Sequence, residues 1–194
     1  MRSSYRFVGD VMNDRIVVLR LGHRIHRDER ITTHVCLTAR AFGADGVVIT
    51  GDHDRSILES VRDVVNNWGG PFWVEYVSSW KRVVHEYKDR GYLIVHLTMY
   101  GINLPDVISE VREGFKRSGG MLIVLGGAKV PGELYRLADY NLAVTNQPHS
   151  EVSALAVFLD HLFEGREFNR EFTGGRLKII PSSHGKHVIE EKKG

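Results

Sequence analysis

The sequence is poor in the residues that define several common classes of protein. It has one cysteine, Cys36, which excludes an intrachain disulfide and any metal site built from several cysteines. Its apolar runs near residues 17 and 122 are much too short to cross a bilayer, and its N-terminal stretch lacks the apolar segment of a signal peptide. The formal net charge of +2 is too small to indicate a polyanionic partner by itself. We therefore expect a soluble cytoplasmic protein without membrane association.

Several catalytic and nucleotide-binding motifs are also missing. The glycine pair of LGGAKVP belongs to neither G-x-G-x-x-G nor a Walker loop, and RLGHR, after the first apolar run, has a single glycine. This argues against a nicotinamide-binding Rossmann enzyme. No serine occupies a G-x-S-x-G elbow, so a nucleophilic triad is not indicated. His23 and His26 are three residues apart and His53 stands between two aspartates, but H-E-x-x-H is absent, and we expect no metal centre.

Short apolar runs alternate with longer amphipathic segments, which indicates an α/β fold with a mostly parallel sheet flanked by helices. The predicted strands are residues 16–21, 46–50, 72–77, 92–97, 121–125 and 141–145. The predicted helices are residues 33–42, 55–68, 79–88, 105–116, 131–138 and 151–163. We predict an N-terminal extension (1–15), one domain (16–181) in which 177–180 is an edge strand, and a polar C-terminal tail (182–194).

Three loops follow three successive predicted strands: HLTMYG (96–101), LGGAKVP (125–131) and VTNQPHSE (144–151). Ligands of open parallel sheets bind outside the carboxyl ends of the strands, so these loops are candidates for a binding site. Backbone can approach a ligand closely at a glycine pair, and the third loop leads directly into an apolar helix. The structural alternative for the third loop is a simple turn in which Ser150 caps the helix.

Residues 20–34 contain four arginines and three histidines just beyond the first predicted strand. This local density of cations suits a phosphate backbone, which arginine binds in bidentate fashion. The alternative is a solvated loop in which Asp28 and Glu29 pair with the arginines.

These segments resemble a known family. In order, THVCLTARAFGADGVVI, LGGAKVPGELYRLADYNLAV and NQPHSEVSALAVFLDHL are similar to the three motifs of the SPOUT RNA methyltransferases. Together with RLGHR, WGGPF and VHLTMYG, they resemble most closely the archaeal tRNA (cytidine 56) 2′-O-methyltransferases, over residues 16–188.

The resemblance implies an α/β fold with a trefoil knot near residues 121–165, a homodimer, S-adenosylmethionine as cofactor and tRNA as substrate. It implies that the glycine loop and the loop before the last long helix hold the cofactor. The implied cofactor-binding residues are Leu97, Gly126, Gly127, Ala128, Lys129, Val130, Val144, Thr145, Asn146, Gln147, Pro148, His149, Ser150 and Glu151.

The sequence departs from the wider ribose-methylating pattern at two positions. Leu37 stands where that pattern has its arginine, and Glu151 where it has an asparagine. We therefore expect the catalytic arginine among the loop candidates, which are Arg24, Arg27 and Arg30, with Arg20 behind them. The proton acceptor stays open between His149 and His34.

Two other functions remain compatible with these residues. The same fold and cofactor could act on another position in tRNA, on ribosomal RNA or on a base. A nonenzymatic RNA-binding protein that keeps the loops as a scaffold would bind no S-adenosylmethionine.

Overall fold

The computed structural model of the chain describes residues 15–127 and 130–191. Two predicted cofactor-binding residues, Ala128 and Lys129, and most of the predicted extension lie outside these ranges. The helices are α1 (Glu29–Ala41), α2 (Arg55–Trp68), α3 (Trp80–Asp89), α4 (Leu104–Arg117), α5 (Gly132–Leu137) and α6 (Glu151–Phe163). The strands are β1 (Ile16–His23), β2 (Gly46–Gly51), β3 (Trp73–Tyr76), β4 (Tyr92–Asn103), β5 (Gly120–Gly126), β6 (Tyr140–Ala143), β7 (Leu177–Ile179) and β8 (Val188–Glu190).

Six strands form one sheet in the order β3-β2-β1-β5-β4-β6, and every pair in it is parallel. The chain builds β1, β2 and β3 toward one edge and then crosses β1 to place β4, β5 and β6 on the other side. The order therefore reverses between β1 and β5. A crevice at the carboxyl ends of the strands is expected at such a reversal. The predicted α/β fold with a parallel sheet is confirmed.

Helices cover both faces of this sheet, which explains why the central strands are apolar throughout. Alternate side chains of β1 enter two separate cores: Val18 packs under α1, α2, α4 and α6, whereas Leu19 faces α3 and α5. Because side chains alternate along a strand, Arg20 points to the same face as Val18, toward α1, α2, α4 and α6. The core between the sheet and α1, α2, α4 and α6 is the larger of the two, and its edge lies at the first residues of α1 and α6.

The first helix begins earlier than the sequence pattern indicated. We predicted a start at residue 33, but α1 begins at Glu29, so Arg30 lies in the first helical turn and not in the loop. The carbonyl oxygen of Asp28 accepts a hydrogen bond from the amide of Thr32 at 2.8 Å, which starts the helix. Apolar periodicity missed this turn because only one of its residues is hydrophobic.

The C-terminal strand pairs differently from the prediction. β7 does not extend the main sheet but forms an antiparallel hairpin with β8, which lies in the segment predicted as a polar tail. The chain before β7 is tied to the loop before β3 by a bridge between Gly70 and Thr173. The sequence pattern did not indicate β8, because only two of its residues are apolar and charged residues follow them.

Candidate active site

A cavity of about 600 Å³ opens at the carboxyl ends of β4, β5 and β6. All three predicted loops contribute to it, together with the start of α6 and one side chain of α5. The residues that line it are His96, Leu97, Thr98, Met99, Tyr100, Leu125, Gly126, Gly127, Val130, Tyr135, Leu142, Val144, Pro148, His149, Ser150, Glu151 and Ala154. Its volume falls within the usual range for small-molecule sites.

The glycine pair shapes the wall formed by the end of β5. A Cβ at Gly126 would collide with Cγ2 of Val130, so only glycine allows the loop to fold back against the strand. Gly127 is exposed to the cavity, and a Cβ there would lie 3.7 Å from Oε1 of Glu151 and 3.8 Å from Nη2 of Arg20. The loop therefore presents backbone to a ligand, with an ion pair directly behind it.

A second wall is formed by an excursion of β4. Leu97 of β4 is paired with Leu142 of β6, and Ile102 is paired with the same residue, so residues 98–101 loop out of the ladder between them. A Cβ at Gly101 would collide with the carbonyl oxygen of Asn141, which explains why the excursion returns at a glycine. Thr98, Met99 and Tyr100 of this excursion line the cavity.

Asn146 holds this excursion in place from the neighbouring loop. Its Nδ2 donates hydrogen bonds to the carbonyl oxygens of Met99, at 2.8 Å, and Gly101, at 3.1 Å. These bonds replace the ladder bonds that the excursion interrupts. Asn146 is thus placed between two cavity-lining loops.

The loop before α6 forms the third wall. The Ser150 side chain caps the helix by accepting a hydrogen bond from the amide of Val152 at 3.2 Å. Nδ1 of His149 lies 2.7 Å from the carbonyl oxygen of Gln147 and must donate to it, because a carbonyl oxygen only accepts. In the neutral ring this leaves Nε2 as an acceptor at the exposed rim of the cavity.

His96 forms a buried polar contact behind the cavity. Its Nδ1 lies 2.8 Å from Oδ1 of Asn141, whose Nδ2 donates to the carbonyl oxygen of Tyr135 at 2.9 Å. Because the amide nitrogen is already a donor, Oδ1 accepts from Nδ1, which fixes the tautomer of the ring. Burial lowers the pKa of His96, so the ring is neutral at pH 7. The Tyr135 hydroxyl is 3.0 Å from that of Thr98.

Arg20 is the largest fully buried side chain of the described residues and lies beside the cavity. Its Nη2 is 3.3 Å from Oε1 of Glu151, and Nη1 donates to the carbonyl oxygen of Leu21. Its Nε has no hydrogen-bond partner within the described part of the chain. The ion pair joins the central strand of the sheet to the first residue of α6.

The three arginine candidates are placed differently. Arg24 is held by Asp28, with Nε and Nη2 2.8 and 3.2 Å from its two carboxylate oxygens. These hydrogen bonds hold the pKa of Asp28 below its usual value. Arg27 and Arg30 are exposed, and no described side chain pairs with either guanidinium.

Of the three arginine candidates, only Arg24 pairs with an acidic residue of its own loop, as the alternative of a solvated loop predicted.

His23 stabilises the loop between β1 and α1, which carries Arg24 and Arg27. It is buried at the end of β1, with Nδ1 3.0 Å from Oγ1 of Thr32 and Nε2 3.8 Å from Oδ2 of Asp54. Burial lowers the pKa of His23, although the nearby Asp54 opposes this. His26 and His34 are exposed. Within residues 15–127 and 130–191, no cluster of three or more histidine, cysteine, aspartate or glutamate residues could hold a metal ion.

Most of the predicted cofactor-binding residues that are described lie at the cavity. The ones that line it are Leu97, Gly126, Gly127, Val130, Val144, Pro148, His149, Ser150 and Glu151. Thr145, Asn146 and Gln147 do not line it, although Asn146 holds the excursion of β4 and the carbonyl oxygen of Gln147 accepts from His149. The sequence reasoning named the loop that contains Tyr100 but not that residue, and it missed Tyr135, because an aromatic residue in a loop or on a short helix carries no periodic signal.

The cavity has the chemistry that S-adenosylmethionine requires. Leu97, Leu142 and Val144 offer apolar surface to a neutral heterocycle, and Gly126 and Gly127 expose backbone. No lysine or arginine is among the described lining residues, as suits a ligand without phosphate. No helix in the described part of the chain is both long and apolar enough to cross a bilayer.

Solved structures share this arrangement of sheet and helices. The structure of the SpoU methyltransferase AviRb from Streptomyces viridochromogenes, in complex with the cofactor AdoMet (S-adenosylmethionine), aligns with a TM-score of 0.57 and 20% sequence identity. The alignment covers 79% of this chain and 58% of that chain. The protein therefore has the fold of a SpoU methyltransferase.

Sequence comparison identifies the family within this fold. The model of the family described as "tRNA ribose 2'-O-methyltransferase, aTrm56" matches residues 68–189. The tRNA (cytidine(56)-2'-O)-methyltransferase of Methanopyrus kandleri is 58% identical over 177 residues, which cover 91% of this chain and 97% of that relative. Its counterpart from Thermococcus kodakarensis is 56% identical over 179 residues, or 92% of this chain and 99% of the relative. The chain belongs to the tRNA ribose 2′-O-methyltransferase family, and the resemblance seen in its motifs is confirmed.

Proposed function

We propose that the protein transfers the methyl group of S-adenosylmethionine to the 2′-hydroxyl of cytidine 56 in tRNA. The observation that carries this proposal is the convergence of three loops on a cavity whose described lining residues include no lysine or arginine, in a chain of this family. Exposed arginines follow the neighbouring strand. The cavity suits the methyl donor, and the arginines suit the RNA.

The glycine loop and the loop before α6 would hold the cofactor. Gly126, Gly127 and Val130 would contact it through backbone groups, and Leu97 and Val144 would pack against its adenine. The cofactor supplies an electrophilic methyl group on a positively charged sulfur. The contribution of the chain would be to position the acceptor oxygen next to that group, and such positioning accounts for much of the help that an enzyme can give.

Arg27 and Arg30 are the residues that we expect to bind the tRNA backbone next to the reacting ribose. A guanidinium stays protonated, so it binds phosphate and stabilises a developing alkoxide but does not accept the proton. Arg24 is committed to Asp28 and therefore shapes the loop. Arg27→Ala and Arg30→Ala should lower methylation far more than cofactor affinity.

His149 is the better placed of the two histidines to accept the proton of the 2′-hydroxyl. Its Nδ1–H is bound to the carbonyl of Gln147, so its Nε2 lone pair is available at the rim of the cavity. His34 is exposed on α1 and does not line the cavity. The variant His149→Gln should lower the rate constant for methyl transfer without lowering cofactor affinity, whereas His34→Gln serves as the matched control.

We also propose that the protein is a cytoplasmic homodimer whose residues 121–165 form a trefoil knot. The strand order supports the knot, since β4 lies between β5 and β6 and the connection from β5 to β6 has to cross it. Exposed apolar side chains near that edge, Ile102 and Val157, support a surface for a second copy. Sedimentation equilibrium would measure the oligomeric state.

The function is tested by incubating the protein with labelled S-adenosylmethionine and an unmodified tRNA transcript. Nuclease digestion and nucleoside analysis should locate one labelled 2′-O-methylcytidine at position 56. Label at another position would replace the substrate assignment while keeping the enzyme class. Absence of both methyl transfer and cofactor binding by calorimetry would support a nonenzymatic RNA-binding protein.

A further inference from the structure

Tyr100 combines two properties that no other tyrosine or phenylalanine of the described residues shares. It lines the cavity, and it is nevertheless 74% exposed. Tyr135, the other tyrosine of the lining, is partly buried and hydrogen-bonded to Thr98. A large ring left in water beside a ligand cavity has a face free for an additional partner.

The backbone that carries Tyr100 is held in place rather than left loose. It is the third residue of the excursion at residues 98–101, and the carbonyl groups on either side of it, those of Met99 and Gly101, both accept hydrogen bonds from Asn146. The ladder between β4 and β6 resumes immediately after the excursion. An exposed side chain on anchored backbone loses less entropy on binding than one on a free loop.

The proposed reaction would bring a nucleobase close to this ring. Resting on the proposed function, the 2′-hydroxyl of a nucleotide in folded tRNA reaches the cavity only when that nucleotide leaves its stack, at a cost of a few kcal/mol. Enzymes offset such a cost by stacking the extruded base on an aromatic ring, which contributes about 1–3 kcal/mol per base. We propose that the ring of Tyr100 is the stacking surface for the nucleobase of the nucleotide that is methylated.

The alternative occupant of this ring is a second copy of the chain. Ile102, two residues further on, is 59% exposed, so the surface is partly apolar. A protein partner would bury the ring against apolar side chains, whereas a base needs one open face next to the cavity. Because Tyr100 lies at the cavity, a nucleobase is favoured over a second copy of the chain as its partner. The oligomeric state of every variant described below is measured to distinguish the two.

The test compares Tyr100→Leu, which keeps apolar bulk but removes the aromatic face, with Tyr100→Phe, which keeps the face and removes the hydroxyl. Phe168→Leu is the matched control, because Phe168 is 70% exposed but follows the opposite end of α6 from the cavity. Methylation kinetics with tRNA transcript, calorimetric affinity for S-adenosylmethionine and sedimentation are measured for each. A transcript with the fluorescent base pyrrolocytosine at position 56 reports stacking directly.

We expect Tyr100→Leu to lower kcat/KM for tRNA about 10- to 100-fold, while Tyr100→Phe and Phe168→Leu stay within about threefold of the unchanged protein. Cofactor affinity should be unchanged in all three. In the bound complex, pyrrolocytosine fluorescence should be higher with Tyr100→Leu than with the unchanged protein or Tyr100→Phe, because the extruded base then has no aromatic ring to stack on.

Four results would overturn the proposal: wild-type kinetics in Tyr100→Leu, an equal loss in Tyr100→Phe, a parallel loss of cofactor affinity, or dissociation of a dimer in Tyr100→Leu. Failure of the unchanged protein to methylate position 56 would be a different result, because it would remove the proposed function itself and this inference with it.

Discussion

The two members of the ion pair between Arg20 and Glu151 should contribute very unequally to stability. Their charged atoms are 3.3 Å apart, and the side chains are 2% and 23% exposed, respectively. At an effective dielectric constant of about 20, two unit charges at this distance attract by about 5 kcal/mol. Solvent screening at the partly exposed Glu151 reduces this attraction.

Removing the carboxylate should be the costly change. Glu151→Gln leaves a buried guanidinium without its counter-charge, and Nε of Arg20 already lacks a partner. We expect the free energy of unfolding to fall by about 2–4 kcal/mol. Arg20→Met replaces the cation by an apolar chain, and the carboxylate of Glu151 is exposed enough to turn toward water, so we expect a loss of only about 0–1.5 kcal/mol.

Urea unfolding followed by circular dichroism, without cofactor, measures both single variants and the double variant. The double variant should be close to Arg20→Met, because glutamine costs little once the cation is gone. The reasoning fails if Arg20→Met is at least as destabilising as Glu151→Gln. It also fails if the two effects simply add, since additivity would mean that the charges do not interact.

Three further predictions concern other buried groups. Burial lowers the pKa of His96 from its usual value of 6.5, so the unfolded chain binds more protons than the folded chain in acid. The free energy of unfolding should therefore decline as the pH falls below about 6.5. The decline for one such group is at most about 1.4 kcal/mol per pH unit. Thermal melts across pH should show a shallower decline for His96→Gln, although His23, whose pKa is also lowered by burial, preserves part of it. Arg40 donates to two carbonyl groups at the end of α2 at 2.7–3.2 Å, and Arg40→Met should cost about 3 kcal/mol in urea titrations; a cost below about 1 kcal/mol would contradict this role. Burial raises the pKa of Cys36 to about 12, so iodoacetamide should label it only when the chain is unfolded, and rapid labelling of the native protein would disprove its burial.

The elements that could be predicted from the sequence are those with strong apolar patterns. Residues 55–68 were predicted as a helix with the bounds that α2 has, because its apolar residues recur at helical spacing. The long α6 was equally predictable, since Ser150 caps it and its core residues are continuous. The start of α1 was not, because it depends on hydrogen bonds of Asp28 and not on an apolar stripe.

The candidate site, too, could be predicted from the sequence only in part. Glycines and polar residues after successive strands indicated the three loops, since parallel strands end at one edge of the sheet. Periodicity could not indicate that β4 loops out at residues 98–101, that Asn146 holds the loop through two carbonyl groups, or that Arg24 is occupied by Asp28. These contacts join residues 4 to 47 positions apart and follow no repeating pattern.

By itself the sequence determined the alternation of strands and helices, and its motifs determined the family. Both are properties of local residue order, which folding preserves. Only the tertiary structure decided which arginines stay exposed, which histidine nitrogen carries the proton, and that Arg20 meets Glu151 beside the cavity. Those outcomes depend on which residues, distant in sequence, become neighbours when the helices pack on the two faces of the sheet. A local sequence pattern does not specify such contacts.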